Sequence, residues 1–130
     1  MNLDYSPEYR AERRYITELK AKLEHSLFKE DLLITNLSIS GVQMKCSQAL
    51  VSTLAAELGR STPQAPLQVT IHMDIPTPTQ KTCNLKLQCN LVYSRRLSRD
   101  RYLIGAQFSR LEDSDKQALA NYMEKFGKIL

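Results

Sequence analysis

The sequence predicts a mainly β fold, antiparallel and closed into a small barrel, with a helix at its C-terminal end. Two observations carry the strands. Leu67, Val69, Ile71 and Met73 alternate with Gln68, Thr70, His72 and Asp74. Leu85, Leu87, Cys89 and Leu91 alternate with Lys86, Gln88 and Asn90. Period-two alternation puts one set of side chains in a core and the other in water. The third observation is the stripe Leu119, Tyr122, Met123 and Phe126, spaced for one face of a helix. Short strands joined by turns favour a barrel.

Residues 1–9 are polar and read as a flexible N-terminal arm, in which Ser6-Pro7-Glu8 could open one helical turn. Tyr15 to Leu23 fits two periods. As a helix, Tyr15, Ile16, Leu19 and Leu23 share a face; as a strand, Tyr15, Thr17, Leu19, Ala21 and Leu23 do. Propensity slightly favours the helix, and the pattern leaves both open. Leu27 to Leu37 reads as a strand, with Lys29-Glu30-Asp31 a candidate turn within it. Val42 to Cys46 is a further strand. Between the apolar runs Leu32-Leu33-Ile34 and Val42-Gln43-Met44 lies Asn36-Leu37-Ser38-Ile39-Ser40-Gly41, which by itself reads as a hairpin turn and whose glycine implies a positive φ or a close approach by another group.

From Ser47 to Leu58 the period changes to helical, with Leu50, Val51, Leu54 and Leu58 recurring, Ser47 as N-cap and Gly59 as the C-terminal stop. Residues 60–66 form a loop. The strand from Leu67 ends before Pro76 and Pro78. Strands Cys83–Tyr93 and Tyr102–Phe108 follow, joined by Ser94–Arg101, an arginine-rich hairpin tip. The last helix is expected to be capped by Ser114 with Gln117, and stopped by Gly127.

At 130 residues the chain reads as one domain. Its 18 Lys and Arg against 14 Asp and Glu leave a net charge of +4, which suits an anionic ligand or partner. No apolar run is long enough to span a bilayer and no signal peptide is evident, so a cytoplasmic location without membrane insertion is expected. Cys46, Cys83 and Cys89 are odd in number and lie in strand contexts, as reduced core thiols do. His25 and His72 have no companions at metal spacing. Ser38 and Ser40 lack a recognisable His or Asp partner, and no catalytic motif occurs; an enzyme is not expected. Without tryptophan or an aromatic stripe beside the arginines, nucleic-acid binding is not expected either.

Three stretches together resemble the PilZ domain, the bacterial receptor module for cyclic-di-GMP. That family carries RxxxR followed downstream by [D/N]xSxxG. Here stand Arg10-Ala11-Glu12-Arg13-Arg14 and Asn36-Leu37-Ser38-Ile39-Ser40-Gly41. Tyr102-Leu103-Ile104-Gly105-Ala106-Gln107-Phe108 resembles the family's last strand, and a helix follows it. The resemblance covers about residues 10–126 and places the domain at 10–130. It implies a six-stranded antiparallel β-barrel with a C-terminal α-helix, and so makes Tyr15–Leu23 the first strand. Residues 47–66 exceed the usual connection and imply an extra helix after the third strand. The resemblance further implies cyclic-di-GMP as ligand, no other cofactor, and an unidentified protein effector as partner. Arg10 and Arg14 would be the motif arginines, with Arg13 an extra cation, and Asn36, Ser38 and Gly41 the facing wall. Signalling would follow from ordering the N-terminal arm on ligand binding. The rival reading is a PilZ-like interaction module that binds no nucleotide.

Overall fold

The structure, a computed structural model, describes residues 13–26, 28–60, 62, 64–79 and 81–129, with backbone alone for Phe28, Ala56, Leu58 and Ile129. Arg10 and the arm at 1–9 lie outside the described residues. Six strands close a ring: β1 (Tyr15–His25), β2 (Phe28–Leu37), β3 (Gly41–Ser47), β4 (Gln68–Pro76), β5 (Thr82–Ser98) and β6 (Arg101–Arg110). Around the ring the order is β1-β2-β3-β6-β5-β4, and β4 pairs back onto β1; every pairing is antiparallel. Helix α1 (Gln48–Arg60) follows β3, and α2 (Asp113–Phe126) follows β6. A two-residue β7 (Lys128–Ile129), which the sequence did not announce, pairs with the first residues of β1.

The ambiguous first segment is a strand because its other face is needed. Leu19, Ala21 and Leu23 enter the core, while Glu18, Lys20 and Lys22 face water. A helix there would leave β2 and β4 each with one unpaired edge and the barrel open. Alternation in β4 and β5 holds as expected: Val69, Ile71, Met73, Leu85, Leu87 and Cys89 are all buried.

Each helix covers one end of the ring. At one end lie the start of β1, the end of β2, the start of β3 and the end of β6. There α2 buries Leu119, Tyr122 and Met123, and half-exposed Phe126 stacks on Tyr122 with ring centroids 5.6 Å apart. At the other end α1 packs on β3 and β6, with Leu50 and Leu54 buried. Its Glu57 Oε2 lies 2.8 Å from His25 Nε2 at the tip of β1.

Four expectations are corrected. Lys29, Glu30 and Asp31 do not turn; they lie in the β1–β2 ladder opposite Glu24, Leu23 and Lys22. The turn sits at Ser26, whose φ of 50° places it in the left-handed region. Gly59 does not stop α1, which runs on through Arg60. Ser114 does not cap α2: Glu112 is the N-cap residue, its carbonyl accepts the Lys116 N–H at 2.9 Å, and no side chain caps. Finally, residues 94–98 are strand and not loop: β5 runs to Ser98, and the hairpin tip shrinks to Arg99-Asp100. Ser47 does cap α1, accepting the Leu50 N–H on Oγ at 3.3 Å, and Gly127 ends α2, its N–H reaching the Met123 carbonyl.

Candidate functional site

The site is assembled on the outer face of the ring, near the α2 end. Cross-strand pairing sets out one row of neighbours: Ile16 opposite Asn36, Asn36 opposite Gln43, Gln43 opposite Gly105, and Gly105 opposite Tyr93. Two β-bulges put the key members on this face. On β2, Ile34 faces the core, and simple alternation would send Asn36 there too. The register shifts between Ile34 and Asn36, and Asn36, though only 9% exposed, lies on the outer face beside Gln43. On β5, Leu91 is a core residue; the shift between Leu91 and Tyr93 turns the tyrosine outward as well.

A chain of hydrogen bonds runs along the row. Arg14 Nη1 donates to Asn36 Oδ1 at 3.0 Å. Asn36 Nδ2 donates to Gln43 Oε1 at 2.9 Å. Gln43 Nε2 donates to the Tyr93 hydroxyl at 2.8 Å. Tyr93 stands on β5 and Gln43 on β3, with β6 between them. The tyrosine side chain crosses β6 directly over Gly105, where any Cβ would overlap its Cε2, Cζ and Cδ2 atoms. Gly105 thus provides the passage through which Tyr93 reaches Gln43.

The turn after Asn36 is tightly held. Ser38 is 2% exposed. Its N–H bonds the Gly41 carbonyl at 2.9 Å, and its Oγ accepts the Ser40 N–H at 3.4 Å. No described glycine has a positive φ. Gly41 serves the alternative expected of it, close approach: a Cβ would overlap the Ala106 carbonyl oxygen on β6. The Phe108 N–H bonds the Ser40 carbonyl at 2.8 Å, locking the turn to β6.

Of the six residues singled out by sequence, the structure brings Arg14 and Asn36 into contact and sets Ser38 and Gly41 in the adjoining turn. Arg13 is exposed beside them, and Arg10 lies outside the described residues. Gln43, Tyr93 and Gly105 were not singled out for the site. The polar outward position of β3 and the strand glycine were the available signals, but the bulge at Val92 hid where Tyr93 points.

The next outward row continues the face with Lys20, Leu33, Lys45, Leu103 and Arg95, each opposite the next. A groove of about 870 Å³ opens beyond it, lined by Lys20, Leu33, Lys45 and Arg101 among others, with Asp31 and Asp74 adding negative charge. None of Arg14, Asn36, Ser38 or Gly41 lines this groove. The contacts among the motif residues lie apart from it.

Comparison with protein-family models finds no match, and neither does comparison with curated proteins. Solved structures do match. The inhibitor of motility MotI/DgrA from Bacillus subtilis is similar at a TM-score of 0.66 and 15% identity, over 87% of this chain and 48% of that one. PlzA of Borreliella burgdorferi, solved in complex with c-di-GMP, gives 0.62 and 12%, over 93% and 53%. The PilZ domain of Escherichia coli YcgR, solved with c-di-GMP, gives 0.59 and 8%, over 86% of both chains. The chain spans about half the length of the first two. It has a PilZ-like fold, a six-stranded ring of antiparallel strands with a C-terminal helix. Among the described residues no helix is long and apolar enough to cross a membrane.

Proposed function

We propose that this chain is a cyclic-di-GMP receptor that works by binding rather than catalysis. The observation that carries the proposal is the 3.0 Å bond from Arg14 to Asn36. It joins the RxxxR segment to the NxSxxG segment across 22 residues of sequence, as a single site built from both would require. The chemistry suits the ligand. Guanidinium groups are forked donors for phosphate and can span the two acceptors on the Hoogsteen edge of guanine, a contact worth about 1–3 kcal/mol of discrimination. Asn36 Oδ1 offers an acceptor to guanine N–H groups. Ser38 shapes the turn that holds Asn36, and Gly41 lets that turn lie against β6. Lys45 and Arg95 in the next row add positive potential for a ligand with two phosphates. The PlzA and YcgR structures contain c-di-GMP on the same fold, which supports the reading.

Signalling would pass through the arginine segment before β1 and a protein effector. Arg14 is already engaged by Asn36, so a ligand that recruits Arg14 exchanges one partner for another and shifts the segment carrying it. The rival reading, an interaction module that binds no nucleotide, draws on the same internal satisfaction of Asn36. Calorimetric titration with cyclic-di-GMP decides between them, with GTP and linear diguanylate as controls. Micromolar or tighter binding selective for the cyclic form, lost in Arg10→Ala and Arg14→Ala, is the expected result. A folded protein that binds none of the three overturns the receptor reading.

A further inference from the structure

Resting on that reading, we propose that Gln43 and Tyr93 are specificity-determining residues: they hold the Asn36 amide so that its carbonyl, not its NH2 group, faces the ligand. The argument is one of donors and acceptors. A guanidinium can only donate. Arg14 therefore faces Oδ1 of Asn36, and Nδ2 points the other way. That NH2 group needs an acceptor, which Gln43 supplies as Oε1. The Gln43 amide is then oriented too, and its Nε2 needs an acceptor in turn, which is the Tyr93 hydroxyl. Each amide in the chain is fixed by its neighbour, and Gly105 lets the last member reach across β6.

The consequence is selectivity among bases. Guanine presents N1–H and N2–H donors on its Watson–Crick edge, and a carbonyl held in place accepts from them. Adenine presents an acceptor at N1 where guanine has a donor, so the same carbonyl opposes it. Asparagine alone is free to flip and show its NH2 group instead. Held by Gln43, it behaves as an acceptor, as a carboxylate would. Gln43 and Tyr93 need not touch the ligand to do this; they are positioning residues acting through Asn36.

The test is the ratio of affinities for cyclic-di-GMP and cyclic-di-AMP, measured calorimetrically for the wild type and four variants. The two ligands carry the same charge, so changes in the electrostatics of the site cancel in the ratio. Gln43→Leu removes the acceptor and is expected to lower the guanine preference about tenfold, within the range for one base contact. Tyr93→Phe frees the far end of Gln43 and is expected to lower it severalfold. Gln43→Lys donates where Gln43 accepted, turns the Asn36 amide over and is expected to abolish the preference. Gln43→Glu still accepts from Asn36 Nδ2, accepts a hydrogen bond from the Tyr93 hydroxyl, and is expected to retain the preference. A residue that merely supported the fold would change both affinities together and leave the ratio alone. Wild-type ratios in Gln43→Leu, Gln43→Lys and Tyr93→Phe overturn the inference while the receptor reading stands. A wild type that binds neither dinucleotide removes both.

Discussion

Glycines 41 and 59 differ in what surrounds them, and the difference gives a sharp prediction. At Gly41 a methyl group meets the backbone oxygen of Ala106, which cannot move without parting β3 from β6. Gly41→Ala should destabilise the fold by about 1–3 kcal/mol in urea denaturation. At Gly59 nothing lies within 4 Å of an added Cβ, and the residue is helical. Gly59→Ala should stabilise by up to about 1 kcal/mol. In the sequence both marked the end of an element, Gly41 at a turn and Gly59 at a helix stop. Only the neighbouring strand separates them. The sulfur atoms follow a similar rule of surroundings. Burial pushes the Cys46 thiol up to about 11 and the Cys89 thiol up to about 12. Cys83 is half-buried. In native protein at neutral pH a disulfide-exchange reagent should therefore modify Cys83 first, with Cys46 and Cys89 reacting only on unfolding.

At the scale of elements, what was legible was the pattern of burial, and what was hidden was the partner. The alternation in β4 and β5 and the stripe of α2 state directly which side meets the core. Lys29-Glu30-Asp31 reads as a turn because three charged residues in a row have no apolar face. In the ladder they find charges on β1: Asp31 pairs with Lys22 at 3.0 Å, and Lys29 stands opposite Glu24. The capping box of α2 failed for a comparable reason. Gln117 turns away from the helix start and donates to Asn121 at 3.0 Å. The cap of α1 was read correctly: Ser47 ends β3 and its Oγ accepts the Leu50 N–H, while the Gln48 N–H finds the Asp100 carbonyl at 3.2 Å. Ser47→Ala should cost about 1 kcal/mol of stability, measured as a lowered urea midpoint. The candidate site was half legible. The motif residues could be named, but the bulges at Thr35 and Val92 decide which face Asn36 and Tyr93 occupy, and no residue type announces where a strand carries its extra residue.

The six strands close a ring, yet some stretches of strand have a single neighbour, the β5 end among them. Beyond Leu91, β5 pairs with β6 alone, and Arg95 and Arg96 lie along that length. Like charges there oppose the edge-to-edge joining of two copies. The ring also carries a pH-sensitive tie between β1 and β4. His72 Nε2 donates to Glu24 Oε1 at 2.7 Å, and this bond lowers the Glu24 carboxyl below its ordinary 4.5, against a smaller opposing effect of burial. A carboxyl lowered by folding stabilises the native state when ionised. That contribution is present above the ordinary carboxyl value and is lost as pH falls through the lowered one. Urea midpoints of wild type and Glu24→Gln should therefore differ near neutral pH and converge under acid conditions. Curves that stay parallel down to low pH would show that the tie contributes nothing.

The pairing of β7 with β1 has a mechanical meaning. Tyr15 faces Ile129 and Ile16 faces Lys128, so the two ends of the described chain leave the molecule side by side. Tension applied between them acts first on this two-residue pair, with β1 held behind it by β2. Tyr15 and Ile16, which adjoin Arg14, then lose one of their two neighbours and stay paired with Leu37 and Asn36 on β2. A pull on the C-terminal end therefore acts on the strand residues next to the arginine segment.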